Sequence, residues 1–366
     1  MMSVLSRLSD GVVRWRLDPW LMALLMLLMA LGLVLLYSAG EQSVALVQKQ
    51  AVRLGVGLVA LFVLAQLSRP ILVLVAPWAY AGALLMLLLT LWLGVGTGAQ
   101  RWLDLGVVRF QPSEAMKLAL PLMLAAWLSE RPLPPRWWGL VGGAALIAVP
   151  VVLIIAQPDL GSGLLLLGCG LGVLFVAGLS WRLIGLSVLA MLAVVPVLWA
   201  NLLDYQRARV LVFLNPERDP LGEGWNIIQS KIAVGSGGLS GKGWLSGSQS
   251  NLEFLPEPHT DFILAVLAEE FGWLGVAAVL LLYSAIILRA LYLTVHARHA
   301  FARLLGGGLM AAFFLYMLVN AAMVSGLMPV VGVPLPLVSY GGTSAATILA
   351  GFGLIMGQYS RRRMMA

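Results

Sequence analysis

Glu114 and Lys117 stand three residues apart in the run Gln111-Pro112-Ser113-Glu114-Ala115-Met116-Lys117. On a helix that spacing sets a carboxylate beside an ammonium. Either the pair is a salt bridge that lets a short helix cross a membrane, or it holds a cation in place for an anionic substrate. Arg101 and Arg109 lie shortly before this segment. They could join the same positive cluster or anchor an interfacial loop. Two further carboxylates sit at chain turns: Asp159 in Gln157-Pro158-Asp159-Leu160-Gly161, and Asp261 in Pro256-Glu257-Pro258-His259-Thr260-Asp261-Phe262. Turn chemistry alone explains an Asp in the first setting. A helix N-terminus, whose dipole favours an acid, alone explains it in the second. Glu269 and Glu270 follow Asp261, and on a helical wheel at most one of them shares its face.

The rest of the chain decides where these groups sit. Of its 366 residues, 61% are apolar and only 11% charged, and the mean hydropathy is +0.95. A soluble surface needs roughly 25% charged residues, so the chain reads as a membrane protein. Secreted, disordered and nucleic-acid-binding classes are set aside. Runs free of Asp, Glu, Lys and Arg, judged against the ~20 residues that span a bilayer, fall at 20–40, 54–68, 71–100, 137–157, 160–181, 183–203 and 271–288. The uncharged stretch 304–360 is broken by Pro329, Pro334 and Pro336 and divides into roughly 304–325 and 339–358. A tenth crossing uses 118–129, too short alone, so completing it draws Lys117 and Glu114 into the outer part of the membrane.

The expectation is an all-α polytopic membrane protein of ten transmembrane helices, a single domain over 1–366. With both termini cytoplasmic, inner segments carry 13 cations and three anions, leaving 10 cations and 13 anions outside or in outer halves of spans. The positive-inside rule favours that orientation. The large extracytoplasmic loop, 204–261 between helices 7 and 8, then faces outward with Asp261 at its end. The first span reads as a retained anchor rather than a cleaved signal. Ionisable groups at membrane depth are functional candidates by default, so chemistry is expected on the outer face.

Other features carry less. Gly235–Gly243 (GSGGLSGKG) resembles a phosphate loop only superficially, because Ser236 stands at the first glycine position and Gly243 at the Ser/Thr position. His296 and His299 lie among arginines on an inner loop and read as solvated. The single cysteine, Cys169, cannot form an internal disulfide, and no Cys/His cluster offers a metal site.

Several long segments resemble the SEDS family of bacterial cell-wall polymerases: QPSEAMK at 111–117, QPDLGSG at 157–163, NPERDPLGEGWNIIQSKIAVGSGGLSGKGW at 215–244, LEFLPEPHTDFILAVLAEEFG at 252–272 and PLPLVSYGGTS at 334–344. The wording is nearer the rod-shape branch than the division branch. The resemblance implies a glycosyltransferase that polymerises lipid II into peptidoglycan strands for cell elongation. It places the family's essential aspartate at Asp261 and its glutamate and lysine at Glu114 and Lys117. Arg101, Arg109, Asp159, His259 and Thr260 become candidate substrate contacts. Pro258 stands where an arginine is common in this branch, so any contact that arginine makes is absent.

The resemblance also implies partners: lipid II and the nascent strand, a class B penicillin-binding protein of the PBP2 transpeptidase type, and other elongation-complex membrane proteins. It implies the bacterial inner membrane, with the site facing the periplasm. On this reading Asp261 acts as general base toward a sugar hydroxyl, and Lys117, Arg101 and Arg109 stabilise the departing lipid diphosphate. The residues name no definite cofactor, and no acidic cluster clearly encodes a metal, although a divalent cation (Mg or Mn) could share the charge. Two rival functions remain at this level: a lipid II flippase, and a non-catalytic scaffold for the penicillin-binding protein.

Overall fold

The structure is a computed structural model that describes residues 16–95, 101–104, 106, 109–183, 211–219, 223–247 and 258–360, with isolated positions between 185 and 207. Ten α-helices have both ends among these residues. They are α1 (Pro19–Ala39), α2 (Val44–Gln66), α3 (Arg69–Leu93), α4 (Pro112–Ser129), α5 (Trp137–Ala156), α6 (Leu160–Val176), α7 (Glu223–Ser236), α8 (Ile263–Val295), α9 (Ala300–Val324) and α10 (Thr343–Ser360). Six of them, α1, α2, α3, α5, α8 and α9, are long and apolar enough to cross a membrane. Three more expected segments hold α4, α6 and α10, which are 18, 17 and 18 residues long. The segment expected at 183–203 lies almost wholly outside the described residues. One feature departs from an all-α reading: a small antiparallel ribbon, β1 (Leu103–Asp104) paired with β2 (Arg109–Phe110), leads into α4.

Large apolar side chains are on the outside as well as the inside. Trp78, Trp92 and Trp138 are among the most exposed residues, as expected where the surrounding medium is lipid. Helix ends follow local chemistry. Asp18 caps α1 by accepting from the Leu21 N–H at 2.9 Å, with Pro19 at the first helical position. The same carboxylate receives Nε and Nη2 of Arg289 at 3.0 and 2.6 Å, tying α1 to α8.

Where small residues recur, the helices approach closely. A Cβ on Gly353 would lie 2.2 Å from the carbonyl oxygen of Leu61, and one on Gly357 would lie 2.3 Å from that of Ala65. This four-residue spacing of glycines lets α10 lie directly on α2, as small-residue motifs do in membrane bundles.

Two elements begin earlier than their uncharged cores. Helix α2 starts at Val44, not near Leu54, so Lys49, Gln50 and Arg53 lie on it. Helix α8 starts at Ile263 and breaks at Gly272, where φ is 65° and ψ −163°. The uncharged run marked only the part of α8 beyond this break.

The broken helix leaves backbone groups without intrahelical partners, and the glycine-rich stretch supplies them. Lys242 N and Gly243 N donate to the carbonyls of Glu269 and Glu270 at 3.0 and 2.9 Å. Trp273 N and Leu274 N donate to Gly238 O and Leu239 O at 2.9 and 3.1 Å. Side chains close the bracket. Lys242 Nζ meets Glu269 Oε1 at 2.6 Å, and Ser38 Oγ of α1 donates to Glu270 Oε1. GSGGLSGKG is thus a brace for α8.

Candidate active site

The sequence-singled residues gather at the end of the bundle where α4, α6 and α8 begin and the 325–342 connection enters α10. Glu114 and Lys117 are buried on α4, 4% and 5% exposed, with Lys117 Nζ 2.6 Å from Glu114 Oε1. A third partner comes from α9 and is not among the residues singled out in sequence. The Tyr316 hydroxyl of α9 donates to Glu114 Oε1 and Oε2 at 3.0 and 3.2 Å and itself accepts from Lys117 Nζ. These three groups form the polar end of a crevice between α4, α9 and α10, with about 370 Å³ of empty volume counted out to its open mouth. Its other walls are apolar and include Leu118, Leu309, Phe313, Ile348 and Phe352.

Asp159 caps α6, its Oδ1 accepting from Ser162 N at 3.1 Å. Its Oδ2 accepts from the Gln111 amide at 3.3 Å, which joins the start of α6 to the start of α4. Arg101 turns to this carboxylate, with Nη1 3.8 Å from Asp159 Oδ1 and Nη2 donating to Pro158 O at 3.3 Å. The structure therefore brings Arg101 to Asp159. The Arg109 backbone pairs with Asp104 in the ribbon, and its side chain lies outside the described residues.

Asp261 occupies the turn 258–262 immediately before α8 and is half-buried. Its backbone carbonyl accepts from the Asn320 amide at 2.8 Å, and the same nitrogen donates to Val333 O at 2.8 Å. Its carboxylate faces the left-handed Gly332, since a Cβ there would lie 3.5 Å from Asp261 Oδ2. Gly161, two residues past Asp159, packs on the neighbouring Val331, where a Cβ would meet its carbonyl oxygen at 2.8 Å. The 331–333 strand of backbone thus separates the two aspartates. His259 stacks edge-to-face on Tyr340 at 5.8 Å, and its carbonyl accepts from Tyr340 N at 2.9 Å. Thr260 lies between His259 and Asp261, also half-buried.

Asn320 is four residues after Tyr316, so one face of α9 reaches both the Asp261 turn and the Glu114–Lys117 pair. Polar residues one turn apart inside an otherwise apolar span are the signal that marks both of them in sequence. Among the described residues no group of three or more His, Cys, Asp or Glu gathers to hold a metal, and the Asp159 oxygens already serve Ser162, Gln111 and Arg101. Cys169 is buried, with Sγ 3.3 Å from Gly308 O.

A bundle with a buried ion pair at the polar end of an otherwise apolar crevice and long apolar helices defines a polytopic membrane protein with a polar site at one end of its helices. The family model described as "Cell cycle protein" (FtsW, RodA, SpoVE) matches residues 19–363, and the chain belongs to that family. It is 48% identical over 352 residues to the peptidoglycan glycosyltransferase MrdB of Escherichia coli (strain K12), covering 96% of this chain and 95% of that protein. It is 34% identical to stage V sporulation protein E of Bacillus subtilis (strain 168), covering 94% and 98%. Among solved structures, the rod shape determining protein RodA of Thermus thermophilus matches with a TM-score of 0.72 and 34% identity over 96% of this chain and 99% of that one. A chain from work on the structural coordination of polymerization and crosslinking by a peptidoglycan synthase complex matches with a TM-score of 0.82 and 39% identity, covering 97% and 100%.

Proposed function

We propose that the chain is a peptidoglycan glycosyltransferase that polymerises lipid II into glycan strands for cell elongation. The observation that carries this reading is the junction on α9. Asn320 fixes the Asp261 turn, and Tyr316, one turn away, binds the buried Glu114–Lys117 pair at the polar end of an apolar crevice. A lipid-linked sugar needs an apolar path for its tail, a cation for its diphosphate and a base for the incoming hydroxyl. The likeness to MrdB, named a peptidoglycan glycosyltransferase, supports the same reading.

In the reaction, the C4 hydroxyl of one sugar attacks the anomeric carbon of another. Asp261 takes the hydroxyl proton as the new bond forms, and the bond to the lipid diphosphate breaks on the opposite face. Such proton removal contributes about 10²–10⁴ in rate. By analogy with inverting glycosidases, the base stands across the ring from the leaving group. Lys117 stabilises the charge gathering on the diphosphate, in a site shielded from water where a fixed cation acts strongly. Glu114 and Tyr316 fix the ammonium. Arg101, with Asp159 and Gln111, shapes the rim, and Arg109, His259 and Thr260 are further substrate contacts. A divalent cation, Mg or Mn, arriving with the diphosphate would add to the positive charge, although no step above runs through it.

The topology that serves this chemistry has ten spans with both termini cytoplasmic. The 204–261 loop then lies outside, and the site faces the periplasmic side of the inner membrane. The partner is a class B penicillin-binding protein that crosslinks the strands, within the elongation complex. The match to a chain from a peptidoglycan synthase complex supports that pairing. The test is incubation of the purified chain with lipid II while the partner's transpeptidase is blocked. Glycan strands are the expected product. Scrambling of labelled lipid II across vesicles with no polymer would favour a flippase, and inactivity of the chain in every setting would favour a scaffold.

A further inference from the structure

Arg53 has no place in the mechanism above, yet its surroundings are built. It lies on α2, half-buried, three residues after the buried Gln50. Gln50 fastens the entrance to α10 from both ends of its amide: Nε2 donates to Ser339 O at 3.3 Å, and Oε1 accepts from Gly341 N at 3.2 Å. Beside it, the Arg53 guanidinium lies over the Tyr340 ring, 4.3 Å from the centroid. Gly342 gives it room, since a Cβ there would come within 3.4 Å of Arg53 Nε. The guanidinium thus lies between an aromatic ring and bare backbone.

What this packing does not supply is an acceptor. Among the described residues Arg53 pairs with no carboxylate, and no carbonyl accepts from it. A guanidinium carries five N–H donors in a rigid fork that matches phosphate oxygens two at a time. Half-buried and already oriented by its packing, that fork can take an anion without first losing much side-chain freedom. The N-terminal end of α10 opens beside it and adds positive potential of the same sense.

The position relative to Asp261 identifies the ligand. Tyr340, under Arg53, bonds through its N–H to the His259 carbonyl and stacks on the His259 ring. Arg53 is therefore coupled to the Asp261 turn through two aromatic rings. Lys117 is coupled to the same turn by a different route, through Tyr316 and Asn320. Polymerisation joins two lipid-linked molecules, and each carries a diphosphate. One diphosphate leaves with its lipid, and the other stays bonded to the acceptor, two sugar rings from the hydroxyl that reacts. The chemistry needs two anion sites, and Arg53 and Lys117 are cations that reach the Asp261 turn by separate routes.

We infer that Arg53 binds the retained diphosphate of the acceptor lipid, while Lys117 serves the departing one. This rests on the lipid II polymerase reading. Arg53 is a binding residue in this account: it sets acceptor affinity without touching the reacting atoms.

The test uses the full-length chain in its polymerising form, with Arg53→Ala, Arg53→Gln and Arg53→Lys beside wild type, each checked for monodisperse folding. Arg53→Ala should raise the KM for lipid II about tenfold or more, as expected for losing a charge-assisted bond, while kcat at saturation changes little. Arg53→Lys should recover part of the loss, and Lys117→Ala should lower kcat instead. A second measurement uses the Asp261→Asn background, where labelled lipid II binds without turnover and a polyprenyl diphosphate without sugar or peptide competes. That competition should weaken in parallel with lipid II binding when Arg53 is replaced. An unchanged KM in Arg53→Ala and Arg53→Gln overturns the inference. So does weaker lipid II binding with unaltered competition by the bare diphosphate, which would place Arg53 on a stem-peptide carboxylate. Failure of wild type to polymerise would count against the proposed function, and the binding comparison would still decide the anion site.

Discussion

The amide of Asn320 spans two backbone carbonyls, those of Asp261 and Val333, each at 2.8 Å. One buried side chain on α9 thereby fixes both the turn that carries Asp261 and the strand of backbone its carboxylate faces. Replacing it leaves two carbonyls without their donor.

Asn320→Leu should therefore lower the polymerisation rate by about tenfold or more and destabilise the chain by about 1–3 kcal/mol, the usual cost of unsatisfied buried acceptors. Initial rates on lipid II and thermal unfolding in detergent measure the two effects. A rate equal to wild type at unchanged stability would show that the Asp261 turn does not depend on this bond.

The Glu114–Lys117–Tyr316 cluster should respond asymmetrically. Removing either charge strands the other where water is scarce, so Glu114→Ala or Lys117→Ala should cost about 3–5 kcal/mol of stability. The double variant Glu114→Gln/Lys117→Met should recover much of that stability but none of the activity, because the cation is gone. Lys117→Ala should also lose more activity than Arg218→Ala in the large loop. Thermal unfolding and strand synthesis run on the same preparations separate the two losses.

At Gly272 the backbone needs a φ of 65°, and a Cβ would lie 2.4 Å from Gly241 N. Gly272→Ala should destabilise by about 3 kcal/mol or more, and the displaced stub of α8 should take Asp261 out of register. Gly82, on α3 with open space around it, is the control. Gly82→Ala should be neutral or slightly stabilising, as alanine favours helix. Thermal midpoints of the two variants side by side give the contrast.

How much of this was legible in sequence depended on charge. Glu114 and Lys117 announced their contact by spacing, and Asp159 announced a turn that the fold uses as a helix cap. The same rule misplaced the start of α2, because Lys49 and Arg53 hid ten helical residues from a search for uncharged runs. Tyr316 and Asn320 escape the same rule for the converse reason: they show only polarity, not charge, inside an apolar stretch, and their partners are some 200 and 60 residues away in sequence. The glycine-rich stretch could be denied a nucleotide by its motif, but its real task required seeing where α8 breaks. Arg53 carries no motif of its own, and only Tyr340 and Gly342 around it set it apart from other cations.

The central claim is that the Asp261 carboxylate carries the proton transfer. Its most direct measurement is strand synthesis from lipid II by purified wild type and Asp261→Asn, with lipid II binding measured in both. The account predicts that the variant folds and binds lipid II yet forms no strands, with the rate down by about 10² or more. Strand synthesis at the wild-type rate by Asp261→Asn would contradict it.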